Sequence, residues 1–325
     1  MPDIDGELWG FDLFGDPVQP HKLRGPLAQR FIFPPFTLWD AASGVWQERK
    51  RAWLGMGIKS EVSRADIRTY DLPDYMQDRQ PKGDAKGVSV FDPVLCELAY
   101  RWFCPPGGSV LDPFAGGSVR GVVACKLGRP YFGVELRVEQ VEANYANAQE
   151  MGLPQPHPTW VQGDSSVVLR APTKNRKCDM IFSCPPYGDL EVYSDDKADL
   201  SNMGAAAFRE AHRDIIAQCA RRLADNRFAV YVVGDYRDKR TGLYTGFVGH
   251  TIDAFARAGM GLYNEAILTT PRGSLPMRVS AHFDRGRKLG KMHQNVLVFV
   301  KGDARAAADA CVADGEGDIL GEVRG

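Results

Sequence analysis

The run CDMIFSCPPYGD at residues 178–189 limits the fold more than any other part of the chain. Met180, Ile181 and Phe182 read as a buried strand, and two prolines end it abruptly. Proline has no N–H for a sheet ladder and fixes its own φ, so Pro185 and Pro186 fall just past the strand's carboxyl end. In an open α/β sheet that end is where ligands bind. The loop therefore presents Cys184, two rigid carbonyl-bearing residues and the Tyr187 ring at the mouth of a candidate active site. A proline-held carbonyl beside an aromatic ring suits a planar heterocycle that carries an amino group, because the ring stacks on the base while the carbonyl accepts an amino hydrogen. By itself Pro-Pro-Tyr is more often a stiff turn with a packed tyrosine, so its meaning depends on what precedes it.

What precedes it alternates between strand and helix. FDPVLCELAYRWF predicts a helix with Asp92 as its N-cap and Pro93 at the first helical position. SVLDPFAGGSVRGVVACKLG predicts a strand ending at Asp112, a turn through Gly116 and Gly117, and a helix from near Ser118. The next strand, YFGVEL, ends in Glu135, about twenty residues after the turn, the usual place for an acid that holds the two hydroxyls of a ribose. A third strand, TWVQGD, ends at Asp164, which either reaches the exocyclic amine of a bound adenine or serves as a turn residue or helix cap. No phosphate-binding lysine follows the glycines, which argues against a triphosphate site. After the CPPY strand come a helix over about 205–224, the apolar strand RFAVYVVGDY, a helix over about 246–258, and the strands YNEAILTT and NVLVFVKGD. The last two, joined without a helical crossover, are expected to be antiparallel neighbours.

With 325 residues and 44% hydrophobic content the chain can bury a large core, and its formal charge of −1 argues against a uniformly basic coat. Polyanion contact must then be local. The connection PRGSLPMRVSAHFDRGRKLGKMHQ carries Arg272, Arg278, Arg285, Arg287, Lys288 and Lys291 against a single acid, Asp284. Near the N-terminus Trp39, Trp46 and Trp53 surround Arg49, Lys50 and Arg51, with a helix expected from about Ser43 to Gly55. Trp46 and Trp53 are expected in the core, the basic side chains toward solvent or phosphate. Residues 1–29 read as a flexible arm, 30–88 as an aromatic and basic segment with a linker or mobile loop over 70–88, 89–303 as the main domain with its basic loop at 271–294, and 304–325 as a frayed tail. The seven cysteines form no Cys-x-x-Cys pair and no zinc spacing with the six histidines, so reduced thiols, no metal and a cytoplasmic setting are expected. No run has the length of a membrane span, and the acidic N-terminus does not read as a signal peptide.

The ordered set DPFAGGS, YFGVEL, GDSS and SCPPY resembles the S-adenosylmethionine-dependent DNA methyltransferases that modify exocyclic amino groups, over about residues 88–302, with adenine N6 the preferred target and cytosine N4 the next. The PPF and WQERKRAW stretches and KMHQNVLVF are further similar to phage-type and prophage-type DNA methylases, which implies a bacterial or phage-infected host and a restriction-modification or phage-protective setting. The resemblance implies an α/β, Rossmann-like seven-stranded sheet, mostly parallel with the last strand antiparallel and helices on both faces. S-adenosylmethionine is the implied cofactor. Phe91 and Pro93 would help enclose it, Asp112, Pro113, Phe114, Gly116 and Gly117 would surround its methionine end, Glu135 would hold its ribose and Asp164 would lie near its adenine. The implied partner is double-stranded DNA with the target base flipped out. Almost nothing is inserted between the third and fourth strands, so recognition falls to residues 30–88, 188–204 or 271–294.

A base amino group is a poor nucleophile because its lone pair is delocalised into the ring. Hydrogen bonds from it to the Pro185 carbonyl and to an acceptor at position 184 would free that lone pair, Tyr187 would stack on the base, and positioning would supply much of the acceleration. Pro186 keeps the loop rigid. The chain departs from the family at Cys184, where an Asp, Asn or Ser would offer oxygen, since sulfur accepts weakly. Three explanations compete. Ser183 supplies the oxygen; Cys184 serves while the carbonyl does most of the holding; or Cys184 is a nucleophile, which would make this a cytosine C5 enzyme. An RNA or protein methyltransferase, and a catalytically inactive DNA-binding module, are the readings from other classes.

Overall fold

A computed structural model of the chain describes residues 26–59, 91–171, 177–188, 199–270, 273 and 275–312. The expected linker at 70–88, Arg272, most of the N-terminal arm, most of 188–204 and the end of the tail lie outside these. Along the chain the elements are α1 (Pro26–Phe31), β1 (Leu38–Asp40), α2 (Gly44–Gly55), α3 (Pro93–Phe103), β2 (Val110–Asp112), α4 (Val119–Lys126), β3 (Tyr131–Glu135), α5 (Val138–Glu150), β4 (Thr159–Gln162), α6 (Ser165–Val168), β5 (Cys178–Ser183), α7 (Ala205–Arg222), β6 (Leu223–Val233), α8 (Phe247–Arg257), β7 (Gly261–Thr269), α9 (Leu275–Gly286), β8 (His293–Lys301) and α10 (Ala304–Ala310).

These strands make one sheet in the order β1-β7-β8-β6-β5-β2-β3-β4. Every neighbouring pair is parallel except the two that β8 makes, with β6 and with β7. The chain runs outward from β2 through β3 and β4, then returns to the other side of β2 with β5. That reversal is a topological switch point, the crevice where open α/β sheets bind ligands. Alternation along the central strands feeds two cores. Met180, Phe182, Phe228, Val230 and Val232 pack on one face with residues of α2, α3 and α4. Ile181, Ala229, Tyr231 and Val233 pack on the other with residues of α7 and α8. A fully buried Phe or Val contributes about 1.5–3 kcal/mol relative to exposure, so strands covered on both faces hold the sheet ends in place.

The fold is the expected Rossmann-like one with three differences. An eighth strand, β1, adds to the β7 edge, pairing Leu38–Asp40 with Ile267–Thr269. Residues 275–286 form α9 within the connection expected to be a loop, although β7 and β8 are antiparallel neighbours as read. Residues 304–310 are not frayed: Asp303 caps α10 by accepting from Ala306 N at 2.7 Å, and Ala307 is buried. Among the described residues no helix is long and apolar enough to cross a membrane.

α2 packs on α3 through a polar core. The Glu97 carboxylate, fully buried, accepts from Arg49 Nε and Nη2 at 2.7 Å each, from Trp53 Nε1 at 2.8 Å and from Arg101 Nε at 3.2 Å. Trp46 and Trp53 are buried as expected, but Arg49 is not available to phosphate; it is turned inward because only an inward cation can compensate Glu97. Lys50 is half-buried and pairs with Asp92 at 3.2 Å, while Arg51 stays exposed.

Candidate active site

The carboxyl ends of β2, β3, β5 and β6 lie side by side, and antiparallel β8 begins beside them. At the switch point β2 and β5 are joined by their last side chains: Ser183 Oγ donates to Asp112 Oδ1 at 2.5 Å. Asp112 also accepts from Phe114 N at 3.0 Å, Tyr131 OH at 2.7 Å and Arg120 Nε at 2.5 Å, and it is fully buried. A carboxylate offers about four acceptor directions, and four donors occupy them. Asp112 therefore shapes the glycine turn from beneath and does not itself face a ligand. Arg120 carries the same network upward by donating to the carbonyls of Phe114 and Ala115, and its guanidinium lies 4.5 Å from the Phe91 ring centroid. Burial, followed by the Asp112 charge, pushes the Tyr131 phenol well up and keeps it a donor.

Glu135 behaves differently. It is part-exposed, and its two oxygens accept from Gly116 N at 2.9 Å and Arg137 N at 3.0 Å. Gly116 sits at φ +51°, where a side chain would be strained, and its carbonyl accepts from Asn144 Nδ2 on α5 at 2.8 Å. Gly117 is part-exposed beside it. Phe91 is part-exposed with its ring edge-on to Phe182 at 5.9 Å, and Pro93 is buried at the start of α3, capped by Asp92 accepting from Val94 N. Pro113 is buried and its carbonyl accepts from Ser165 Oγ; Phe114 is part-exposed. Asp164 takes its second sequence-level meaning, since both its oxygens are engaged in capping α6, from Ser166 N at 2.7 Å and Ser166 Oγ at 2.8 Å.

Beyond β5, Pro185 is buried, while Cys184, Pro186 and Tyr187 are part-exposed. Ser183 is fully buried, with its hydroxyl hydrogen donated to Asp112; its oxygen keeps acceptor capacity but has no exposed surface to offer an incoming base. Cys184 Sγ lies 3.7 Å from Tyr187 OH. That hydroxyl also accepts from Gln294 Nε2 at 2.7 Å, and the Tyr187 ring stands edge-on to Phe247 at 6.0 Å. Gly188, at φ +55°, presses against Tyr236 so closely that a Cβ there would overlap the phenol oxygen. Lys291 Nζ, Tyr187 Cε2 and Gln294 Cγ all come within 3.9 Å of where a Cβ on Gly234 would stand, so the start of β8 leans over the CPPY loop.

Of the other basic residues in the connection, Arg278 and Arg285 are exposed on α9, and Arg287 and Lys288 are exposed just after it. Lys291 is half-buried, donates to the Asp235 carbonyl at 3.1 Å, and its ammonium is pushed below the usual lysine range by burial. Sequence reasoning missed Arg120, Tyr131, Asn144 and Gln294. Tyr131, Asn144 and Gln294 act on residues far from them in the chain, Arg120 reads as an ordinary helix residue until the turn beside it closes, and an Asn or Gln inside a helix or strand carries no signal by itself.

Fold and site together have the layout of the Rossmann-like methyltransferase fold: a sheet reversing between β2 and β5, a glycine turn after β2, an acid at the end of β3 and a proline-rigid loop after β5. In agreement, residues 107–223, less than half of the chain, match the family model described as RNA cap guanine-N2 methyltransferase. No curated protein matches the chain. Among solved structures, TrmN from Thermus thermophilus is 17% identical over 64% of this chain and 48% of its own, with a TM-score of 0.41. The chain thus spans about half the length of that structure. A methyltransferase from Pyrococcus furiosus is 14% identical over 68% of this chain and 88% of its own (TM-score 0.44), and magnesium protoporphyrin IX methyltransferase from Synechocystis with bound SAH is 13% identical over 61% and 75% (TM-score 0.40). Similarity at that level says nothing of this chain's substrate.

Proposed function

We propose that this protein is an S-adenosylmethionine-dependent methyltransferase acting on an exocyclic amino group of a nucleic-acid base, with RNA as the polymer and guanine N2 as the first candidate. The observation that carries it is the Ser183–Asp112 bond, which sets the glycine turn and the CPPY loop side by side. The family-model match, which runs through both motifs, favours RNA over the DNA that the sequence resemblance implied.

The residues fit the cofactor. Glu135 offers a part-exposed carboxylate for ribose hydroxyls, Gly116 and Gly117 offer backbone that a ligand can approach closely, and Phe91 offers an aromatic wall. When bound, S-adenosylmethionine would supply an electrophilic methyl group. Toward the base, the Pro185 carbonyl would accept an amino hydrogen and Tyr187, fixed by Gln294, would stack on the ring. Cys184 would add only a weak acceptor, so carbonyl and stacking do most of the orienting. A basic surface from Arg278, Arg285, Arg287, Lys288 and Lys291 would meet the phosphates, with Arg51 as a separate contact.

The test is nucleoside mass spectrometry after incubating unmethylated RNA and DNA separately with the protein and methyl-deuterated S-adenosylmethionine. Label on an exocyclic amine in RNA is the expected result. Label on a DNA amine keeps the chemistry and restores the polymer that DPFAGGS and SCPPY resemble. Label on cytosine C5 makes Cys184 a nucleophile and sinks the amino-directed reading, as does the absence of label from either polymer.

A further inference from the structure

The segment after β6, residues 236–245, folds back on itself as a hairpin that its own bonds define. Arg237 and Tyr244 form an antiparallel bridge, Asp238 N donates to the Leu243 carbonyl at 2.9 Å, and Thr245 N donates to the Tyr236 carbonyl at 2.9 Å. At the tip Asp238 Oδ1 accepts from Thr241 N at 2.6 Å and Thr241 Oγ1 at 2.8 Å, so this acid is occupied within the turn. The Arg237 guanidinium lies 4.0 Å from the Tyr244 ring centroid and is pinned there by donating from Nη1 to the Gly242 carbonyl at 2.9 Å. Yet Tyr244 is 48% exposed and Leu243 69% exposed, so little burial repays the order. A flat cation–ring pair, held rigid at the surface, is suited to an unpaired base, which has a π-face and carries a phosphate.

The hairpin is continuous with the candidate active site. The Lys288 ammonium lies 2.9 Å from where a Cβ on Gly242 would stand, and the Lys291 ammonium is 5.8 Å from the Tyr244 ring. Lys291 Nζ and Tyr187 Cε2 each lie 3.9 Å from where a Cβ on Gly234 would stand, so the lysine neighbours the surroundings of both rings. We propose that this hairpin seats the nucleotide next to the target in a single-stranded RNA: its base stacks on the Arg237–Tyr244 pair, and Lys291 and Lys288 hold the phosphate that links it to the target nucleotide. This rests on the nucleic-acid reading above and adds to it a preference for unpaired strands.

The experiment is fluorescence anisotropy with a labelled mixed-sequence RNA of about twelve nucleotides, single-stranded or annealed to its complement, and the matching DNA strand. The protein carries bound S-adenosylhomocysteine, and each variant is melted to check its fold. Wild type is expected to bind the single-stranded RNA best. Tyr244→Ala is expected to weaken that binding about tenfold, and Tyr244→Trp to preserve it. Lys288→Ala is expected to lower the slope of log affinity against log salt by about 0.7. Arg257→Ala, which breaks an exposed pair with Asp253 at the end of α8, is expected to change nothing. If wild type binds the RNA strand but Tyr244→Ala binds it equally well, the hairpin is not the seat and the nucleic-acid reading stands. Preference for the duplex or for DNA overturns the single-stranded RNA assignment, and no binding of any oligonucleotide overturns both readings.

Discussion

Two carboxylates at the ends of adjacent strands have different fates. Asp112 meets four donors and is buried as a structural hub, whereas Glu135 keeps a solvent-facing side after holding the glycine turn. Tyr187 shows the same dependence on neighbours, because its stacking pose is fixed by Gln294. Gln294→Leu should therefore lower kcat for methyl transfer about tenfold with S-adenosylhomocysteine affinity unchanged, and adding Tyr187→Phe should cost little more. A double variant whose losses simply add would show that the bond does not position the ring. His212 makes a second residue-scale case. It is buried between the rings of Phe208 and Phe114, neither ring nitrogen has a hydrogen-bond partner, and burial, then His250, lowers its pKa to about 3. The unfolded chain takes up a proton at about 6.5 that the folded chain refuses. The neutral side chain's contribution is thus complete above that pH and is lost as pH falls from there toward 3. Between pH 7 and 5 wild type should lose about 2 kcal/mol from this group, and His212→Phe should show a correspondingly shallower decline in denaturant melts.

At the scale of elements, the contact between α2 and α3 is an ionic core, and burial decides its worth. Glu97 is fully buried with Arg49, Trp53 and Arg101 around it, so Glu97→Ala leaves buried cations uncompensated and should cost about 3–5 kcal/mol. Glu150 makes a shorter pair with Lys59, at 2.5 Å, but the two side chains are 58% and 52% exposed. Glu150→Ala should cost no more than about 1 kcal/mol. Paired urea titrations decide the matter; equal shifts in midpoint would mean that the α2–α3 contact is not held by Glu97. The α2 segment matters to the site as well: Asn147 on α5 donates to the Gly57 carbonyl and accepts from Ser118 Oγ at 2.8 Å, tying residues after α2 to the start of α4 beside the glycine turn.

Across the whole molecule, one sheet gathers residues from both ends of the chain, from β1 at the edge to β8 between β6 and β7. A ligand held at the switch point touches elements that unfold together, so binding should stabilise the fold as a unit. At one hundred times its Kd, S-adenosylhomocysteine should add about 2.7 kcal/mol and raise Tm by about 5 °C. Glu135→Ala should remove most of that increment at the same ligand concentration while leaving the ligand-free Tm within about 2 °C. A variant stabilised as strongly as wild type would remove Glu135 from the cofactor site.

The strands β2 to β8, the glycine turn and the proline-stopped loop were legible because their signals are local: apolar alternation, a glycine between strand and helix, and a residue type that cannot continue a ladder. β1 was not legible, since a strand of three residues has no pattern until an edge exists to receive it. Nor was α9, none of whose described side chains is buried, so that its basic residues looked like a loop. Arg49 and Ser183 point inward because Glu97 and Asp112 wait there, 48 and 71 positions away, and no local pattern announces a partner at that separation. By itself the sequence determined which segments become strands or helices, that the last two strands are neighbours, and where the chain must turn. Tertiary structure alone decided which polar side chains are consumed in holding the site together and which remain to face a ligand, because that depends on how many donors converge in space.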